Sequence, residues 1–166
     1  TNHPMMPGFV SRQTPAGISN FKPDKNDLQL GKKIARSFTQ TYDPSLDNQI
    51  YGIYVMGSVG TIAQSEGSDL DIWLCYKPGI MPQAVDELQQ KCTNISQWAE
   101  DLKLEAHFFL MDHAAFKQGQ IEALNEESSG STQQLLLLDE FYRTAIYIKG
   151  RVPIWWYVPT DHEDEF

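Results

Sequence analysis

The alternation of apolar and polar positions changes period several times along the chain, and each change marks an element. Ile50 to Met56 is an apolar, β-branched run that follows an Asp47-Asn48 turn, and Asp69 to Tyr76 is a second run ended by Lys77-Pro78-Gly79. Both read as strands. After Pro82, which suits a first helical turn, Val85, Leu88, Cys92, Ile95, Trp98 and Leu102 keep a helical period for about six turns. Upstream, Leu30, Ile34 and Phe38 fall at fourfold spacing, the inward stripe of a predicted helix capped by Asp27 and running to about Thr41. Gly31 weakens that helix and Asp43-Pro44-Ser45 stops it. Lys103 to Met111 reads as a third strand, Asp112 to Phe116 as the start of a short helix, and Lys117 to Ser129 as a mobile loop. Ser131 caps a further helix predicted to reach about Ile148, with Gly150 beyond its end, and Val152 to Val158 reads as a closing strand. Helices alternating with strands predict an α/β or α+β sheet with helices packed on it.

Between the first two strands lie a Gly57-Ser58 turn, a short polar segment expected to be helical from Ser58 to Ser65, and the pair Asp69 and Asp71. Side chains alternate across a strand, so the two aspartates share a face. Two carboxylates held that close repel, and a cation between them removes the penalty. The bland alternative is a solvated turn and an edge strand with two exposed acids. Against it, the acids run straight into Ile72-Trp73-Leu74-Cys75, a buried-strand pattern. A metal-dependent phosphate site is the reading that accounts for all of these features together. In it, Gly57 lets backbone approach a triphosphate and the amides that follow attract negative charge. The Ser58 hydroxyl adds a hydrogen bond to phosphate, and Ser68 either caps or touches phosphate.

Length and composition narrow the class. One domain is the expectation for 166 residues. Thirteen basic against twenty-two acidic residues give a net charge of −9, which disfavours an extended nucleic-acid surface. Cys75 and Cys92 read as reduced, buried thiols of a cytoplasmic protein, and no run is long and apolar enough to span a membrane. Residues 1–26, with Pro4, Pro7, Pro15 and Pro23, are expected to be irregular, 27–160 to form the folded domain, and 161–166 to be an acidic tail. The start at Thr1 and the acidic end point to a piece of a longer chain.

The Gly-Ser turn followed by Asp-x-Asp resembles the signature of the DNA polymerase beta-type nucleotidyltransferase superfamily. The wider context, Met56-Gly57-Ser58, Gln64-Ser65, Ser68 through Trp73, Gly130-Ser131-Thr132-Gln133 and Leu136 through Ala145, is similar to the catalytic domain of bacterial class I adenylate cyclases. The likeness runs from about Met6-Pro7-Gly8 to Val158-Pro159. It implies a small, mixed, twisted sheet with the active site at one edge, and conversion of ATP to 3′,5′-cyclic AMP and pyrophosphate. Two Mg²⁺ ions, or Mn²⁺, would serve the reaction, with a regulatory region following this part of the chain.

A third carboxylate on a neighbouring strand belongs to the superfamily pattern. Glu105 is the candidate, sharing a face with His107 and Phe109, and an exposed edge-strand glutamate is its plain alternative. Asp112 is the fallback. Ser131 and Gln133 are candidate anion or base contacts at a helix N-terminus, where Ser131 serves equally as a simple cap. Asp139 and Glu140 are spaced for helical salt bridges with Arg143, which alternatively reaches a phosphate. His107 is a packing residue or a base beside Glu105, and Trp155 and Trp156 pack or, less simply, stack on adenine. Two other readings keep the site and change the outcome: transfer of AMP to a separate acceptor, or a nucleotide-binding regulatory module without turnover.

Overall fold

The computed structural model describes residues 1–39, 48–57, 69–112 and 139–151. Its centre is a four-stranded mixed sheet in the order β3-β2-β1-β4, an α+β arrangement. β1 (Ile50–Met56) pairs antiparallel with β2 (Leu70–Tyr76) on one side and with β4 (Ile146–Gly150) on the other. β2 pairs parallel with β3 (Ala106–Asp112). A parallel pair needs a crossover, and α2 (Pro82–Asp101) supplies it.

The period-two pattern of the strands separates two cores. On one face Tyr54, Met56, Trp73, Cys75 and Met111 bury against Phe141, which stands on a helical segment at 139–144. On the other face Ile50 and Leu74 meet Leu88 and Cys92 of α2. Both cysteines are free and buried, and burial pushes each thiol up to about 12. They belong to opposite faces of the sheet. Among the described residues no helix is long and apolar enough to cross a membrane.

Several boundaries differ from the sequence expectation. α1 spans Lys25–Ile34 rather than starting after Asp27. Asp24 is its N-cap, accepting from the amides of Asn26 and Asp27 at 2.7 and 2.9 Å, while Asp27 reaches back to the Asp24 amide at 3.0 Å. This reciprocal capping box satisfies the orphan donors one turn earlier than a lone Asp27 cap would. The expected stripe also turns: Leu30 and Ile34 are exposed at 55% and 44%, whereas Phe38 is buried at 6%. The chain leaves the helix at Ala35 and folds Phe38 back over Gly31, where a Cβ would run into the ring. In α2 the expected position of Leu102 in the stripe falls outside the helix and is exposed, and Ala99 takes the buried place.

The helix expected to reach Ile148 ends, within the described residues, at 144, and Ile146-Tyr147-Ile148 form β4 instead. β-Branched and aromatic side chains favour the pleated edge offered by β1 over helix continuation. Gly150, expected beyond a helix end, closes that strand at φ +115°, and a Cβ there would strike the Tyr51 carbonyl. β3 starts at Ala106, after a turn in which Lys103 holds φ +61°. The expected helix at Ser58–Ser65, the short helix after Asp112, the loop at Lys117–Ser129 and the strand at Val152–Val158 lie outside the described residues.

Candidate functional site

The antiparallel register sets Met56 opposite Asp71, which brings the first residue after β1 beside the second aspartate. That residue, Gly57, has φ +85°, and a Cβ on it would lie 3.5 Å from Asp71 Oδ2. The left-handed backbone is what glycine supplies here. It also keeps main chain, rather than a side chain, against the carboxylate.

Across β2 the parallel register aligns Asp71 with His107 and Leu70 with Ala106. The Leu70 amide donates to the Glu105 carbonyl at 2.9 Å, so residue 105 is held beside β2 even though it precedes β3. His107 Nε2 lies 3.1 Å from Glu105 Oε1 and 3.9 Å from Asp69 Oδ2. Asp69, Glu105 and His107 therefore form one acidic-imidazole group, His107 and Asp69 about half exposed and Glu105 more so. Asp71 joins it electrostatically. Partial burial raises its carboxyl above the ordinary value, the nearby Asp69 raises it further, His107 opposes, and Glu140 adds to the rise.

Asp69, Asp71, Glu105 and His107 thus gather at one end of the sheet, on the face that carries Trp73 and Phe109. Asp112 does not join them. It pairs with Tyr76 at the other end of β3, because five residues of extended strand separate it from His107. Arg143 Nε donates to Asp139 Oδ2 at 2.8 Å, the helical pair that its spacing allows. Ser58, Ser68, Ser131, Gln133, Trp155 and Trp156 lie outside the described residues.

Sequence reasoning missed Glu140 as a member of this neighbourhood, having read it only as a partner for Arg143. The cause is Phe141. Its ring packs 5.4 Å from Trp73 and 5.2 Å from Tyr54, which docks the helical segment over the acid-bearing face. An apolar Phe141 set among charged neighbours in Asp139-Glu140-Phe141-Tyr142-Arg143 was the available signal.

The donor set suits a hard divalent cation: carboxylate oxygens at one end of the sheet, partly solvated, with that of Asp71 carrying a proton affinity raised first by partial burial and then by its like-charged neighbours. Among the described residues no three acidic, histidine or cysteine side chains already converge at metal-ligand spacing. The fit therefore rests on the chemistry of the donors and on Gly57, whose missing Cβ leaves the approach to Asp71 open.

Comparison with known proteins gives one answer. The profile of the adenylate cyclase NT domain matches residues 1–156. Over 99% of its length the chain is 39% identical to the adenylate cyclase of Salmonella typhimurium, 38% to that of Escherichia coli K12 and 35% to that of Yersinia pestis. It spans 20% of the length of each of these relatives.

Proposed function

The chain belongs to the adenylate cyclase NT domain family, and from that premise we propose that it carries the nucleotidyl-transfer centre that converts ATP to 3′,5′-cyclic AMP and pyrophosphate. In this reaction the ribose 3′-oxygen forms a bond to the α-phosphorus, the bond to the leaving pyrophosphate breaks, and the hydroxyl proton passes to solvent. The acceptor hydroxyl lies on the nucleotide itself, so no second substrate site is required.

The observation that supports the reading is that Asp71 lies beside Gly57, while Asp69 and Glu105 both reach His107, its neighbour across the parallel register, at the same end of the sheet. Asp69 and Asp71 would hold Mg²⁺, or Mn²⁺, with Glu105 as the third acid. Bound divalent ions supply Lewis acidity to the attacking hydroxyl and counter-charge to the triphosphate. The protein's own contribution is positional. His107 steadies the Glu105 carboxylate through its 3.1 Å contact and lies 3.9 Å from Asp69. Gly57 leaves room for phosphate oxygens at the mouth of the site, and Ser58 and Ser68 follow it in sequence as phosphate contacts. Glu140 deepens the negative potential, which favours a doubly charged cation over a monovalent one. The free buried thiols are consistent with a reducing, cytoplasmic setting.

The test is production of cyclic AMP and pyrophosphate by the purified chain with ATP and Mg²⁺. Asp71→Ala should lower turnover by about a hundredfold or more while its circular dichroism and melting profile stay those of a folded protein. Turnover like the parent's from that variant would remove Asp71 from the site. Transfer of label from ATP to a separate acceptor, or ATP binding without pyrophosphate release, would instead select one of the other two readings.

A further inference from the structure

Residues 22–36, which include α1, hold five cations against two acids, a balance of +3 inside a chain of −9. The two acids, Asp24 and Asp27, are turned to the helix start, where both accept backbone hydrogen bonds in the capping box. Neither reaches a cation. Lys25, Lys32, Lys33 and Arg36 are exposed, and among the described residues none of them makes an ion pair or a side-chain hydrogen bond.

The same exposed arc carries aliphatic side chains. Leu30 and Ile34 are both exposed, and at a spacing of four they lie side by side on the helix. Gly31 is the buried side of α1, with Ala35 and Phe38 folded in behind it. Lys33 stands next to the aliphatic strip, Lys25 and Lys32 lie further round the helix, and Arg36 follows the C-cap Ala35. Helix stability by itself does not explain this arrangement. Lys32 and Lys33 suit the negative end of the helix dipole, but Lys25 stands in the first turn, where a cation is disfavoured. Nor does it account for two large aliphatic side chains left in solvent beside those charges.

We infer that this face of α1 docks an acidic polypeptide segment that bears aliphatic side chains. Carboxylates set against the unpaired cations supply the complementary charge, and aliphatic partners cover Leu30 and Ile34. A lipid bilayer or a nucleic acid also presents negative charge, but over an area far wider than a helix of ten residues, about 15 Å long. Such a surface would bring other parts of the molecule within the screening length of about 8 Å. Those parts are acidic: with +3 in residues 22–36, the remainder of the −9 chain carries −12. A peptide segment touches α1 and leaves the remaining acids in solvent. None of the residues of this face belongs to the Asp69 and Asp71 site, and the inference does not depend on the nucleotidyl-transfer reading.

The experiment is a titration of the ¹⁵N-labelled chain with a synthetic peptide of repeated Glu-Glu-Leu-Leu, and separately with polyglutamate, with phosphatidylglycerol–phosphatidylcholine vesicles and with a DNA duplex. Saturable shifts should be confined to the amides of residues 25–36. Affinity for the peptide should fall about fivefold or more in K32Q/K33Q, the loss of exposed charge pairs. L30Q/I34Q should weaken it by a similar factor through lost apolar cover, and polyglutamate should bind the parent correspondingly less tightly. All four positions are exposed, so both variants should melt like the parent; where one pair alters the melting profile, the other decides. No saturable binding, shifts centred outside α1, an affinity unchanged in either folded variant, or tighter binding to the vesicles or the duplex than to the peptide would overturn the assignment.

Discussion

Asp71 carries a carboxyl whose hold on a proton is strengthened by partial burial and by the charges of Asp69 and Glu140, with His107 acting against them. An acid with a raised native pKa binds protons more tightly folded than unfolded. Its contribution to stability therefore falls as pH rises from the ordinary aspartate range through the native value, and the penalty persists above it. Asp71→Asn removes that penalty. In metal-free buffer at neutral pH the variant should melt slightly higher than the parent, by roughly a few tenths of a kcal/mol because solvent screens the group. Mg²⁺ should then raise the melting temperature of the parent and leave the variant nearly unmoved. A variant that melts lower without metal would show that Asp71 makes a stabilising contact instead. The shared face of Asp69 and Asp71 was legible in the sequence, because strand alternation is a local rule. The place of His107 beside Glu105 was legible by the same rule, whereas the approach of Glu140 was not, since it depends on where Phe141 docks.

At the scale of elements, β1, β2 and α2 match their sequence expectation closely, and the errors sit where local preference and tertiary contact disagree. Helical spacing in Leu30, Ile34 and Phe38 was real as a count, yet only Phe38 is buried, because the chain turns at Ala35 before the stripe is complete. The helix-to-strand change at Ile146 has the same origin: the edge of β1 captures residues that a helical period would also have accommodated. Gly150 is decisive for that capture. With φ +115° and no space for a Cβ beside the Tyr51 carbonyl, Gly150→Ala should cost more than about 2 kcal/mol. Denaturant unfolding measures the loss. Hydrogen exchange should locate it in β4 and along its partners in β1, and a variant as stable as the parent would mean that β4 pairs in a different register.

Across the whole molecule, the N-terminal segment is tied down through α2. Ser11 and Thr14 hydroxyls donate to Glu87 Oε2 at 2.7 and 2.8 Å, and Lys91 Nζ donates to Asn2 Oδ1 at 2.6 Å and to the Pro15 carbonyl at 3.2 Å. Burial lowers the Lys91 ammonium from 10.5 to about 8. The unfolded chain therefore binds more protons than the native one between these two values, so this group's contribution makes stability rise as pH climbs through that interval. Lys91→Met should flatten the rise in a comparison of denaturation midpoints across that range. An identical pH profile for parent and variant would place the lysine in solvent.

Local pattern determined the strands β1 and β2, the long helix between β2 and β3, and the pairing of two aspartates with a glycine corner, because alternation, helical period and turn chemistry act over a few residues. Tertiary structure alone decided which carboxylates meet Asp71, where the last helical segment gives way to β4, and that Lys77 and Arg151 share a cleft with Ser19. Those outcomes depend on strand order and on the packing of one aromatic ring, and residues that meet this way lie between about thirty and well over a hundred positions apart in a sequence whose local rules reach only a turn or two.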